Sequence, residues 1–132
     1  MNLEQCMVTE FMYAVGQEVK NLPSVKDYPT ELRIKLINEE AAEFAEAARR
    51  SDMVAMMDAL CDLLYVTYGA ASAAGIDLDP LFTEVHRSNM TKIGGPKDEN
   101  GKALKPPGYS PPNLKRLIDE QIEHARELFG ED

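Results

Sequence analysis

The sequence predicts an all-α protein, an antiparallel bundle of four to five helices that carries one long basic loop and is assembled as an oligomer. Three observations lead there. Apolar residues recur at three- and four-residue steps through most of the chain, the period of helices with one buried face. Ala, Met and Leu abound while aromatics are 7% and Trp is absent, which suits packed helices better than a sheet. Glycine and proline gather in residues 93–113, leaving the flanking segments free to be helical. At 132 residues, 44% hydrophobic and 28% charged, the chain fits one domain spanning 1–132.

Met7, Phe11, Ala14 and Val15 mark a first helix over about Leu3 to Val19, and Asn21 to Pro29 breaks the pattern. Pro29-Thr30 opens a second helix that runs to about Arg50, without the Glu of a capping box. Ser51 or Asp52 caps a third, roughly Asp52 to Ala74, which ends at Gly75. Asp79-Pro80 is read as cap and first-turn proline of a fourth helix, ending near Lys92 and carrying Leu81, Phe82, Val85 and Met90. The loop 93–113 interleaves Gly and Pro with Lys97, Lys102 and Lys105, and Asn100-Gly101 is a strong turn signal. A loop of this length in a small domain is either functional or disordered. Leu114, Leu117, Ile118, Ala125, Leu128 and Phe129 then give a last amphipathic helix over 113–129, closed by Gly130.

Charge and cysteine content exclude several classes. Fourteen Lys and Arg against 23 Asp and Glu give a net charge of -9, which argues against a nucleic acid polymer or an anionic membrane as partner. Cys6 and Cys61 are too few and too far apart for a disulfide framework or a zinc knuckle, and the N-terminus lacks the order of a signal peptide. A reducing, cytoplasmic setting is expected. The stretch from Met53 to Ala74 is long enough to span a bilayer, but its two acids, Asp58 and Asp62, would cost roughly 2.5 to 3.5 kcal/mol each at the centre of one. A buried helix in a bundle fits better. Because it is apolar nearly all the way round, a second subunit is expected to cover part of it, in a dimer or tetramer.

The acids of the second and third helices point to chemistry. Asp58 and Asp62 stand four apart and share a face, where ionised carboxylates need a cation. From this pair alone, a buried Arg such as Arg33 or Arg87, or a water-filled groove, serves as well as a metal. The second helix tips the balance. Glu39, Glu40, Glu43 and Glu46 crowd successive turns, and like charges at that spacing cost roughly 0.2 to 0.5 kcal/mol per pair. With Glu39 at zero on the helical wheel, Glu40 lies near roughly 100° and Glu43 near roughly 40°, while Ile34, Ile37, Ala41, Phe44 and Ala48 centre near roughly 170°. Glu40 is therefore nearest the core, Glu43 next, and Glu46 is a solvated surface charge. An antiparallel pair of helices brings Glu40, Glu43, Asp58 and Asp62 together, and an all-oxygen set suits Mg²⁺, with Mn²⁺ possible, and not zinc. Mg²⁺ commonly takes substrate phosphates as ligands, so a phosphate-bearing substrate is implied, with the basic loop supplying further contacts.

The stretches Leu36 to Glu43 and Asp58 to Val66, with Glu84 to Lys92 and Gly101-Lys102 beyond them, resemble the MazG-like all-α nucleoside triphosphate pyrophosphohydrolases (phosphoribosyl-ATP pyrophosphohydrolase-like), whose signature is ExxE on one helix and ExxD on the next. The likeness covers roughly residues 30–113. It departs where the family's ExxD has Glu, since Ala59 stands there with Asp58 one position earlier. The resemblance implies hydrolysis of a (deoxy)nucleoside triphosphate at the α-β phosphoanhydride to the monophosphate and pyrophosphate, as in nucleotide-pool sanitation. On that reading Glu40, Glu43, Asp58 and Asp62 hold Mg²⁺, and Glu39 and Glu43 orient or deprotonate the attacking water. Lys92, Lys102 and Lys105 bind phosphate, Arg87 assists or instead pairs with Asp58 or Asp62, and Asn89 reads the base or ribose. A different class is a non-catalytic helical dimerisation or regulatory module, its acids salt-bridged and its loop docking a partner. A di-iron carboxylate bundle is disfavoured because no helix carries Glu-x-x-His.

Overall fold

The computed structural model describes residues 1–130, which form five helices and, among the described residues, no strand. Asn2 caps α1 (Leu3–Ala14) by accepting the Gln5 N–H at 2.7 Å, and its amide also donates to the Tyr68 hydroxyl at 3.0 Å. This helix stops five residues short of the expected Val19. Gly16 adopts φ +77°, and the Gln17 N–H folds back onto the Met12 carbonyl at 2.8 Å. The second helix, α2 (Thr30–Arg49), begins at Pro29 with no side-chain cap, as the missing capping box implies. Ser51 at φ +56° reverses the chain, and Asp52 caps α3 (Met53–Ala73) through the Ala55 N–H at 3.1 Å. Past α3, Gly75 turns the chain at φ +73°.

The fourth helix, α4 (Leu78–Met90), starts two residues earlier than expected because Asp77, not Asp79, caps it, accepting the Asp79 N–H at 3.0 Å. Pro80 then stands in the first turn, where its missing N–H removes no helical bond. Residues 91–113 hold no helix, only an isolated antiparallel bridge between Lys97 and Ala103 around the Asn100-Gly101 turn. Asn113 caps α5 (Leu114–Phe129), which closes at Gly130 with φ +80°.

The α2–α3 hairpin is the main packing unit, α1 lies along another side of α3, and α4 pairs with α5. Val8, Met12 and Ala73 form the centre of the core, packed by Val19, Tyr28 and Tyr68. Gln5 is fully buried; its amide donates to Ser72 Oγ at 3.1 Å and the Ile76 carbonyl at 2.7 Å and accepts the Leu78 N–H at 3.2 Å, tying α1 to the α3–α4 turn. Along the hairpin Arg33 meets Gly69, where a Cβ would come within 2.7 Å of the guanidinium, and seven residues further along α2 Glu40 meets Asp62, seven residues back along α3. The two helices are thus antiparallel and in register, with small buried Ala47 and Ala59 letting them approach closely.

The α2 seam is rotated from the apolar wheel. Buried Arg33 and Ala47 with half-buried Glu40 put its centre roughly 70° from that of the apolar residues, so it runs through Glu40 itself. Ile34 and Ala41, expected in the core, are exposed. The apolar character of α3 also continues onto its solvent face, where Val54 is 81% exposed and Met53, Met57, Leu60 and Leu64 are also exposed. By length and composition α3 is the one helix among the described residues able to cross a membrane, and little of it is buried within the chain.

A Cβ at Gly75 would lie 2.9 Å from the Lys20 carbonyl oxygen and 3.0 Å from that of Leu22, in a backbone region that already disfavours side chains. Gly75→Ala should therefore lower stability by about 1–3 kcal/mol. Urea unfolding measures it, and an unchanged midpoint would show that the α3–α4 turn relaxes freely.

Candidate metal centre

Glu40 and Glu43 lie one turn apart on α2, and the register of the hairpin sets Asp62 of α3 opposite Glu40. One carboxylate oxygen from each of the three falls within 4.8 Å of the other two. Glu40 and Asp62 are half-buried and Glu43 is exposed, so the cluster is open on one side. One oxygen of Glu40, Oε2, is buried and has no hydrogen-bond donor.

The electrostatics record the crowding. The Glu40 carboxyl is pushed up from 4.5 to about 7, first by burial, then by the carboxyl of Glu43, to which a protonated Glu40 can hydrogen-bond, and by the charges of Glu43, Asp62 and Glu39. Asp62 is raised by burial, by Asp58 and by Glu43. Among the described residues no lysine or arginine forms an ion pair with Glu40, Glu43, Asp58 or Asp62. Neither arginine proposed as a partner reaches them. Arg33 donates to Gln17 Oε1 at 3.1 Å, and Arg87 is bound to Glu84. Three carboxylates with converging oxygens and no cation from the protein fit a hard divalent cation.

The remaining sequence candidates separate into two groups. Asp58 is exposed and lies outside the three-carboxylate cluster, though near enough to raise Asp62. Ala59, next to Asp58, is buried in the seam and carries no carboxylate. Glu39 is exposed, 3.9 Å from Lys35, and Glu46 is exposed beside Arg50. Asn89, Lys92, Lys102, Lys105 and Arg87 all stand on α4 or the segment after it, and the hydrogen bonds of that segment run to α4 and the start of α5. Asn89 is exposed, and Lys102 closes the hairpin turn through its backbone, donating to Asp98 Oδ1 at 2.9 Å. Arg87 is already engaged, since its guanidinium holds Glu84 at 2.7 and 3.0 Å, Ser110 Oγ at 3.2 Å and the Pro111 carbonyl at 3.1 Å. Glu84 was not singled out from the sequence, although its i,i+3 spacing to Arg87 was readable. Arg87, and then the Asn113 N–H, hold its carboxyl at about 2.

The family model for phosphoribosyl-ATP pyrophosphohydrolase matches residues 8–89, from α1 through both acid-bearing helices into α4. The chain belongs to this family. It is also 32% identical over 93 residues to an uncharacterized protein of Acanthamoeba polyphaga mimivirus, a match that covers 67% of this chain and 35% of that protein. The chain therefore spans about a third of the length of that relative. The family match takes in Glu40, Glu43 and Asp62 but ends before Lys92, Lys102 and Lys105.

The raised Glu40 carboxyl fixes a pH dependence for the metal-free protein. Folded Glu40 holds its proton up to about 7 and unfolded Glu40 only to 4.5, so between those values the native state binds more protons and stability falls as pH rises. Asp62 acts in the same direction. In a chelating buffer the melting temperature should drop across this window, and Glu40→Gln should flatten the drop. A wild-type melting temperature that is flat or rising from pH 5 to about 7 would contradict the assignment.

Proposed function

We propose that this protein is a Mg²⁺-dependent pyrophosphohydrolase of nucleoside triphosphates, releasing the monophosphate and pyrophosphate, and that it serves nucleotide-pool sanitation in the cytoplasm. The observation that carries this reading is the convergence of one carboxylate oxygen each from Glu40, Glu43 and Asp62, with the Oε2 of Glu40 buried without a donor. A salt-bridged regulatory module would keep a guanidinium or ammonium there, and these acids lack one. Family membership supports the same class of reaction.

Glu40, Glu43 and Asp62 would hold Mg²⁺, or Mn²⁺, with Asp58 adding negative charge beside Asp62. An ion held by these carboxylates would supply charge neutralisation for the triphosphate and activation of the attacking water. Glu43 is the most exposed of the three and so is best placed to accept the proton of the attacking water at its free carboxylate oxygen. Glu39, on the outer face and beside Lys35, contributes negative potential more than a proton site. Lys92, Lys102 and Lys105 supply the positive charge that the acidic helices cannot. Asn89 contributes an exposed amide for base or ribose, and Arg87 shapes the loop instead of binding substrate.

A homo-oligomer completes the picture. Val54, Met57, Leu60 and Leu64 make an apolar strip along the outer side of α3 that a second copy would remove from water. This strip favours association between copies over a membrane, since the other long helices are strongly polar on their outer faces.

Pyrophosphate release should be measured over a panel of nucleoside and deoxynucleoside triphosphates and phosphoribosyl-ATP, with and without Mg²⁺. Turnover should require the ion, and Glu43→Gln should cut it by about 10²- to 10⁴-fold while leaving helical content unchanged. Silence of the folded wild-type protein across the panel would favour the dimerisation module. Undiminished activity of Glu43→Gln would remove that residue from the site.

A further inference from the structure

Outside the carboxylate cluster, two lysines converge on one aromatic ring. Lys92 Nζ lies 5.8 Å from the centroid of the Tyr109 ring, and Lys105 Nζ lies 5.2 Å from it. They come from different places, Lys92 from the end of α4 and Lys105 from the middle of the following segment. Neither forms an ion pair among the described residues, although acids outnumber bases 23 to 14 in this chain. Bringing two ammonium groups to one ring, at most about 11 Å apart, costs side-chain entropy and some Coulomb repulsion, which a neutral ring offsets only in part. An anion bound by both would offset the rest.

Tyr109 is held firmly enough to organise such a site. Its hydroxyl is hydrogen-bonded to Ser88 Oγ at 3.3 Å, and Ser88 is 1% exposed. Ser88 Oγ also donates to the neighbouring Ser110 carbonyl at 2.7 Å, and Thr91 Oγ1 accepts the Ser110 N–H at 2.9 Å. The Tyr109 N–H bonds the Pro106 carbonyl at 3.0 Å. On the far side, Arg87 clamps Ser110 and Pro111, and Glu84 takes the Asn113 N–H at 2.8 Å. The last turn of α4 thereby fixes the segment that presents the ring.

We propose that Tyr109 is the positioning residue of a polyphosphate subsite, its ring gathering the Lys92 and Lys105 ammonium groups to bind the pyrophosphate portion of the substrate. The proposal rests on the pyrophosphohydrolase reading above for its substrate, and on this cluster alone for its anion. Inorganic pyrophosphate suits it because its several charges can be shared by two ammonium groups, whereas orthophosphate carries fewer and spans less.

Calorimetric titration of the full chain with pyrophosphate in metal-free buffer tests it, with orthophosphate as the comparison. Wild-type protein should bind pyrophosphate more tightly than orthophosphate. Tyr109→Leu should weaken pyrophosphate binding about tenfold and Tyr109→Phe, which keeps the ring, should not. In turnover, Tyr109→Leu should raise KM with a smaller change in kcat. If Tyr109→Leu fails to fold by circular dichroism, Lys92→Met and Lys105→Met should each weaken pyrophosphate binding with the ring in place. No pyrophosphate binding by the wild type, or affinity and KM unmoved in Tyr109→Leu, or in the lysine variants where it does not fold, would overturn the subsite while leaving the enzyme reading intact. Ring-dependent pyrophosphate binding by a protein with no triphosphate turnover would sustain the subsite and sink the enzyme reading.

Discussion

Glu40 sits in the middle of a helix–helix seam, a place where a carboxylate is costly to ionise, and it is surrounded there by two more acids and no cation from the protein. The hairpin that creates this situation is built from ordinary parts. Asp52 caps α3 after a tight reversal, Ala47 and Ala59 keep the two helices close, and the antiparallel register sets Asp62 across from Glu40. Such a seam would be more stable with an apolar residue in place of Glu40, because an unpaired buried charge is among the larger penalties a fold can carry. The seam keeps this penalty and leaves Glu40 Oε2 without a donor, and on the proposed reading a divalent ion would offset the charge.

The division of labour follows from charge. The α2–α3 hairpin gathers negative side chains, and α4 with the segment after it gathers positive ones. The two are built by different means. Helix packing positions the acids, whereas a hydrogen-bonded staple centred on Arg87, Glu84 and Ser88 positions the lysines. Exposed ion pairs of this kind add little to global stability, but here they set the course of a proline-rich segment that has no apolar core of its own. Val54, Met57, Leu60 and Leu64 leave apolar surface open along α3 as well.

Much of this was legible in the sequence. Caps and glycines placed α2 to α5 to within about a turn, because Asp52, Gly75 and Gly130 act locally. The convergence of Glu40 and Glu43 with Asp62 followed from helical spacing and one short connection. What was not legible depended on contacts between elements. The wheel put the α2 core on Ile34 and Ala41 because it counted apolar residues without knowing which of them face solvent, and the seam instead runs through Arg33 and Glu40. Arg87 read as assisting at the phosphate or pairing with Asp58 or Asp62, whereas it is held by Glu84 one turn back and by Ser110 and Pro111, more than twenty residues away. Asp58 read as a ligand because a wheel gives direction but not depth, and its shorter arm on the exposed side leaves it outside the cluster.

The proposed chemistry requires a divalent ion to bind where Glu40, Glu43 and Asp62 meet. Titration of the metal-free protein with Mn²⁺, followed by the loss of the free-ion electron paramagnetic resonance signal, measures this without any substrate. Saturable binding that weakens more than about tenfold in Glu40→Gln and in Asp62→Asn, and less in Asp58→Asn, is the expected result. Equal Mn²⁺ affinity in the wild type and in Glu40→Gln would contradict it.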